Sequence, residues 1–220
     1  MITWILETHT MPVLLREIFR AIFNLPTSPE FTGWNGERLT AQVFKKLKKR
    51  GYPGVLLRNV YVPIEDGDQT TEIDALYVTR KGMFVIESKN YSGWIFGSQE
   101  DRKWMQILKG GARFPFYNPI KQNVNHIKAL WRFIQVNVPS IPIIAFSERC
   151  ELKKINLSSS DVYVIKRDKL YDTVVEVWNN SPDYLSQEQV DDIIRRLKPL
   201  TNVDEKTKKA HIENIKKMTE

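Results

Sequence analysis

Asp74, Glu87 and Lys89 place two carboxylates and an amine at the ends of apolar runs. Such groups are costly to bury without a purpose. Two carboxylates in contact repel unless a proton or a cation lies between them. A hard divalent cation satisfies both, since magnesium takes oxygen ligands and keeps waters that a substrate phosphate can replace. The amine would then orient an attacking water or stabilise charge on the transferring phosphate. The alternative is a solvated strand end, with Glu87 beside Lys89 and Asp74 paired to a surface lysine. Ion-pair networks also gather such groups.

The chemistry requires that the three side chains face one way. Ile73–Thr79 and Met83–Lys89 each alternate, are rich in Val, Ile, Tyr and Phe, and flank Arg80-Lys81-Gly82. They predict the two strands of a β-hairpin. Alternation puts Asp74, Leu76 and Val78 on one face of the first strand, and Met83, Val85, Glu87 and Lys89 on one face of the second. With Arg80 and Lys81 as the loop, Thr79 pairs with Gly82, Val78 with Met83 and Leu76 with Val85. The same register sets Asp74 opposite Glu87, at ~4.5–5.5 Å between opposed positions. A bulge at Gly82 would alter it.

The remaining chain supplies elements to pack on this hairpin. Met11–Asn24 carries a helical stripe from Leu14 to Phe23, followed by a linker to Pro29. A helix is expected from Glu37 to Arg50, with Asn35 as N-cap and Leu39, Val43, Phe44 and Leu47 inward. Glu37 lies at the edge of that stripe and, taken alone, is a helix-start acid favoured by the dipole. Val55–Val62 reads as a strand ended by Pro63, and Glu65-Asp66-Gly67-Asp68 as a solvated acidic turn. A turn and strand follow over Asn90–Phe96. Trp94 and Trp104 are expected to pack in the core or hairpin, with stacking on bases the lesser alternative. Asn118-Pro119 opens a helix with asparagine as N-cap and proline at the first position. Gln122 falls in its first turn, and His126 reads as a structural hydrogen-bonder with no metal assigned to it. Ile141–Phe146 and Val162–Ile165 read as buried strands following helices, which suggests parallel additions. Asp168–Trp178 is expected to be helical. Ser186-x-x-Gln189 is a capping-box signature for a helix to Leu197.

Composition bounds the partners. The 220 residues suffice for one sizeable core. The net charge of +7 and pI near 9.4 favour an anionic partner such as nucleic acid. Cys150 is the only cysteine, which excludes an intramolecular disulfide and a cysteine-based zinc site. That fits a reducing cytoplasm. No apolar run is long enough to cross a membrane and no signal peptide is evident. The lysine-rich stretch from Asp204 to Lys217 reads as a weakly helical basic tail that would strengthen phosphate binding.

A longer string adds specificity. Ile73-Asp74, then Gly82-Met83-Phe84-Val85-Ile86-Glu87-Ser88-Lys89-Asn90-Tyr91, then Gly93-Trp94-Ile95-Phe96-Gly97 resembles the nuclease-related domain (NERD) family, a branch of the PD-(D/E)XK nucleases. Gly33-x-x-Gly36-Glu37 resembles that family's glutamate-bearing helix, and Asn118-Pro119-x-x-Gln122 its glutamine motif. The resemblance covers Gly33 to Ile134 and continues more loosely to Leu197. It implies an α/β fold of restriction-endonuclease type, with a mixed central sheet, an antiparallel hairpin and flanking helices. It implies that Asp74, Glu87 and Glu37 serve Mg2+ or Mn2+, that Lys89 serves the chemistry and that Gln122 forms the rim. Some members end in a zinc ribbon, for which this chain has no cysteines.

The expected organisation is an N-terminal amphipathic helix and linker over 1–30, an α/β domain over 31–200 and a basic tail over 201–220. The leading expectation is a metal-dependent deoxyribonuclease, with RNA left open as substrate. One alternative is a non-catalytic nucleic-acid-binding or interaction module on a nuclease scaffold. Another is peripheral membrane contact through the first helix.

Overall fold

Alternation in the sequence becomes a sheet with helices on both faces. The computed structural model describes residues 29–64, 69–201, 203–204 and 207, with side chains from 38 onward. The expected first helix, the acidic turn 65–68 and nearly all of the basic tail lie outside them.

The chain order begins with α1 (Pro29–Lys49), β1 (Val55–Pro63), β2 (Thr70–Thr79) and β3 (Gly82–Lys89). It continues with β4 (Gly93–Ser98), β5 (Lys103–Ile107), β6 (Arg113–Tyr117) and α2 (Pro119–Ile134). β7 (Ser140–Phe146), β8 (Cys150–Asn156), β9 (Tyr163–Lys166), α3 (Leu170–Asn180) and α4 (Gln187–Leu197) complete it. One sheet has the order β1-β2-β3-β7-β9, antiparallel over its first three strands and parallel thereafter. A second sheet has the order β6-β5-β4-β8.

The hairpin register is the one the turn length predicts. Thr79 pairs with Gly82, Val78 with Met83 and Leu76 with Val85. One face of β2 and β3, with Leu76, Val78, Met83 and Val85, packs against Ile127, Leu130 and Ile134 of α2 and Val190, Ile193 and Leu197 of α4. The other face, with Ala75, Tyr77, Phe84 and Ile86, packs against Phe44 and Leu47 of α1 and Val174 of α3. A third cluster joins the two sheets through Ile95, Trp104, Ile144 and Phe146. Trp104 stacks on Phe146 with ring centroids 6.1 Å apart.

α2 and α4 begin as expected. Asn118 caps α2 by accepting from the Ile120 amide, and its own amide donates to the carbonyls of Ser98, Gln99 and Asp101. One buried side chain therefore fixes the start of α2 to the end of β4. The Ser186–Gln189 capping box is complete.

Three expectations need correction. α1 starts at Pro29, so Asn35 is no N-cap and the linker ends before that proline. Proline at a first helical position needs no amide partner and has φ already set for the helix, which lets the helix extend back past Gly33 and Gly36. Trp94 is not core: it is 49% exposed, whereas Trp104 is 1% exposed. They sit on opposite faces of the second sheet, and only one of those faces is covered. β5, β6 and β8 were not anticipated, and they build most of that sheet. β6 contains a proline and β8 runs Glu-Leu-Lys-Lys, both weak strand signals.

Candidate active site

The site forms where the hairpin ladder ends. The β2–β3 pairing stops at Ala75 with Ile86, one position before Asp74 and Glu87. On the other side, β1 pairs Arg58 with Ala75 and Val60 with Ile73, so Asn59 lies between them, opposite Asp74. Asn59 has φ of 49°, a left-handed conformation that asparagine tolerates better than most residues. Asp74 thus sits at an interruption in both ladders. Its Oδ2 accepts from the Ser88 amide at 2.7 Å, which takes the place of a strand-to-strand bond.

Glu87 is almost wholly buried, with its side chain 3% exposed. Its Oε1 lies 2.8 Å from Lys89 Nζ and its Oε2 lies 3.0 Å from His126 Nε2. Lys89 Nζ also donates to Gln122 Oε1 at 2.9 Å. Period-2 alternation puts Glu87 and Lys89 on one face of β3, and α2 packs on that face, so Gln122 and His126 come to meet them. Those two are four residues apart and therefore share a helix face.

The second layer is built from the same elements. An ionised carboxylate only accepts, so His126 Nε2 carries a proton towards Glu87. His126 Nδ1 is 2.7 Å from Thr71 Oγ1 on β2, which fixes the ring from its other side. Asn123, fully buried beside Gln122, donates to the carbonyls of Val85 and Ile143 and pins α2 across β3 and β7.

Electrostatics separates the two acids. Burial, and then the Glu87 charge, push the Asp74 carboxyl well above its ordinary range, although the Ser88 amide and Lys89 pull it down. Burial alone would also raise Glu87, but Lys89 and His126 outweigh it and hold that carboxyl at about 2. Burial disfavours the Lys89 ammonium, yet the charge of Glu87 overcomes this and raises its proton affinity. Glu87 is the settled anion, Lys89 the settled cation, and Asp74 the strained acid.

This donor set fits a divalent cation. A dication beside Asp74 would relieve both burdens on it, namely lost hydration and like-charge repulsion. Among the described residues no cluster of three or more His, Cys, Asp or Glu groups gathers to hold a metal. Magnesium, however, is satisfied by one or two carboxylates with water and substrate oxygen completing the shell.

The structure brings Glu87, Lys89 and Gln122 into direct contact and sets Asp74 beside them. Glu37 lies on α1, and its side chain is outside the described set. Sequence reasoning did not foresee His126 as a Glu87 partner, nor Thr71 or Asn123. The helical spacing of Gln122 and His126 was the available signal.

The nuclease-related domain family matches residues 32–147, which contain every one of these positions. The chain belongs to the nuclease-related domain family. An uncharacterized protein of Bacillus anthracis is 31% identical over 212 residues, covering 93% of this chain and 97% of that protein. No solved structure matches the chain. The NERD family lies within the PD-(D/E)XK-like nucleases, so the mixed sheet flanked by helices is its expected core. Among the described residues no helix is long and apolar enough to cross a membrane.

Proposed function

We propose that this NERD protein hydrolyses phosphodiester bonds of DNA with Mg2+ or Mn2+. Asp74 and Glu87 would hold the ion, with Glu37 as a third carboxylate. The observation that carries the reading is the Lys89 ammonium, held between buried Glu87 and Gln122 beside an acid that cannot ionise comfortably. When bound, the cation supplies Lewis-acid polarisation of the phosphate and a more acidic water.

The chain's own groups account for the rest. Lys89, paired with Glu87 in the metal-free protein, would donate to developing charge on the phosphate. Gln122 fixes the ammonium from the other side. His126 and Thr71 hold Glu87 in one orientation, which limits reorganisation during the reaction. Net positive charge draws the polyanion in.

One observation favours a non-catalytic module: both Glu87 oxygens are already engaged, by Lys89 and His126. The deciding experiment titrates Mg2+ and Mn2+ into wild type, Glu87→Gln, Asp74→Asn and Lys89→Met, following single-stranded, duplex and supercoiled DNA. Cleavage by wild type alone supports catalysis. Intact DNA under every condition, with salt-sensitive binding retained in chelator, would establish the module.

A further inference from the structure

The second sheet has one covered and one open face, and the open face has the chemistry of a nucleic-acid surface. Burial alternates along its strands. Ile95, Trp104 and Gln106 point inward and are buried, while Trp94, Lys103, Arg113, Tyr117 and Lys153 are exposed. The register assembles the outward residues into rows. Trp94 lies beside Ile107 and then Arg113, Phe96 beside Met105 and then Pro115, and Lys103 beside Tyr117. Trp94 is 49% and Tyr117 43% exposed. Such large aromatic surfaces, on a face that no described helix covers, are what stacking ligands need.

Cations are interleaved with the rings. Lys103 and Arg113 stand on one side of the face, and Lys153 and Lys154 of β8 on the other. Lys153 Nζ lies 5.3 Å from the Trp94 ring centroid and 2.7 Å from Glu151. Even counting Glu151 and Asp101, the face carries excess positive charge. A depression of about 280 Å³ lies between Phe96, Met105, Pro115 and the lysines Lys103 and Lys154.

We propose that this open face binds single-stranded nucleic acid, with Trp94 and Tyr117 as stacking platforms and the four cations on its phosphates. Unpaired bases offer their π-faces to such rings, whereas paired bases in a duplex keep theirs stacked. The platform is joined to the site at both ends: β4 begins at Gly93, soon after Lys89, and Asn118 ties the end of β4 to the helix bearing Gln122. The inference rests on the nucleic-acid reading above but does not require cleavage.

The test is fluorescence anisotropy of a labelled oligothymidylate in chelator, which removes cleavage from the readout. Trp94→Ala is expected to weaken binding roughly tenfold, since each stacked base contributes about that much. Lys153→Ala/Lys154→Ala, which removes two phosphate contacts, is expected to flatten the dependence of log affinity on log salt by about 1.4. A duplex of the same length is expected to bind more weakly and to be insensitive to Trp94→Ala. Thermal melting guards against misfolding, and Trp94→Phe, which keeps a ring, is expected to restore most of the affinity. Unchanged oligothymidylate affinity in both variants overturns the platform, as does a wild type that prefers duplex or binds neither. DNA cleavage persisting in any of those cases would leave the active-site reading intact.

Discussion

Replacing Glu87 by Gln removes one charge and almost no volume. Its partners, the Lys89 ammonium and the His126 ring, lie at 2.8 and 3.0 Å, and its side chain is 3% exposed. The carboxyl sits at about 2 in the folded protein against 4.5 ordinarily. That gap is worth roughly 3 kcal/mol. Because the folded value is depressed, the stabilisation is complete above about pH 5 and disappears as pH falls through about 2. An independent estimate agrees: removing one partner of a buried pair costs about 3–5 kcal/mol, because the remaining charge stays buried. One effect opposes this, since Asp74 loses its like-charge neighbour in the variant, so the lower figure is expected. Denaturant unfolding in chelator should show a loss of about 3 kcal/mol at pH 7, or about 6–12 °C in Tm. The difference should narrow steadily as both proteins are taken from about pH 5 towards pH 2–3. A loss below about 1 kcal/mol at pH 7, or one that does not change with pH, would refute the claim that Lys89 and His126 hold Glu87 ionised.

Four further outcomes are expected. Asp74→Asn should stabilise the metal-free protein above pH 5, because a carboxyl whose folded proton affinity is raised costs stability once ionised. Calorimetry should show that the same variant loses Mn2+ binding. Asn118→Ala should cost about 3 kcal/mol, from a lost cap and lost bonds to the carbonyls of Gln99 and Asp101, while the Ser98 carbonyl keeps its Trp104 donor, and hydrogen exchange should localise the loosening to the start of α2. Gly82→Ala should cost about 1–3 kcal/mol by thermal melting, since φ is +114° and a Cβ would lie 2.3 Å from the Pro139 carbonyl oxygen.

The hairpin was legible because its information is local. A side-chain period of 2 and a loop of two residues leave one register that packs Leu76, Val78, Met83 and Val85 together, and a slip by one would turn a strand's set to the opposite face, against α1 and α3. The start of α2 at Asn118-Pro119 and the capping box at Ser186 were equally local, each carried by residues in contact along the chain. The ordered motifs around Asp74, Glu87 and Lys89 also sufficed to indicate the family. The partners of Glu87 and His126 could not be read this way. His126 meets Glu87 across 39 residues and Thr71 across 55, and nothing in the local pattern of α2 states which strand its polar face will cover. Trp94 and Trp104 make the same point on the second sheet. Both lie on alternating strands, but whether a face is core or surface depends on which one receives Phe146 and the first sheet. Local alternation determines which residues share a face, and only packing between distant segments decides which face is dry.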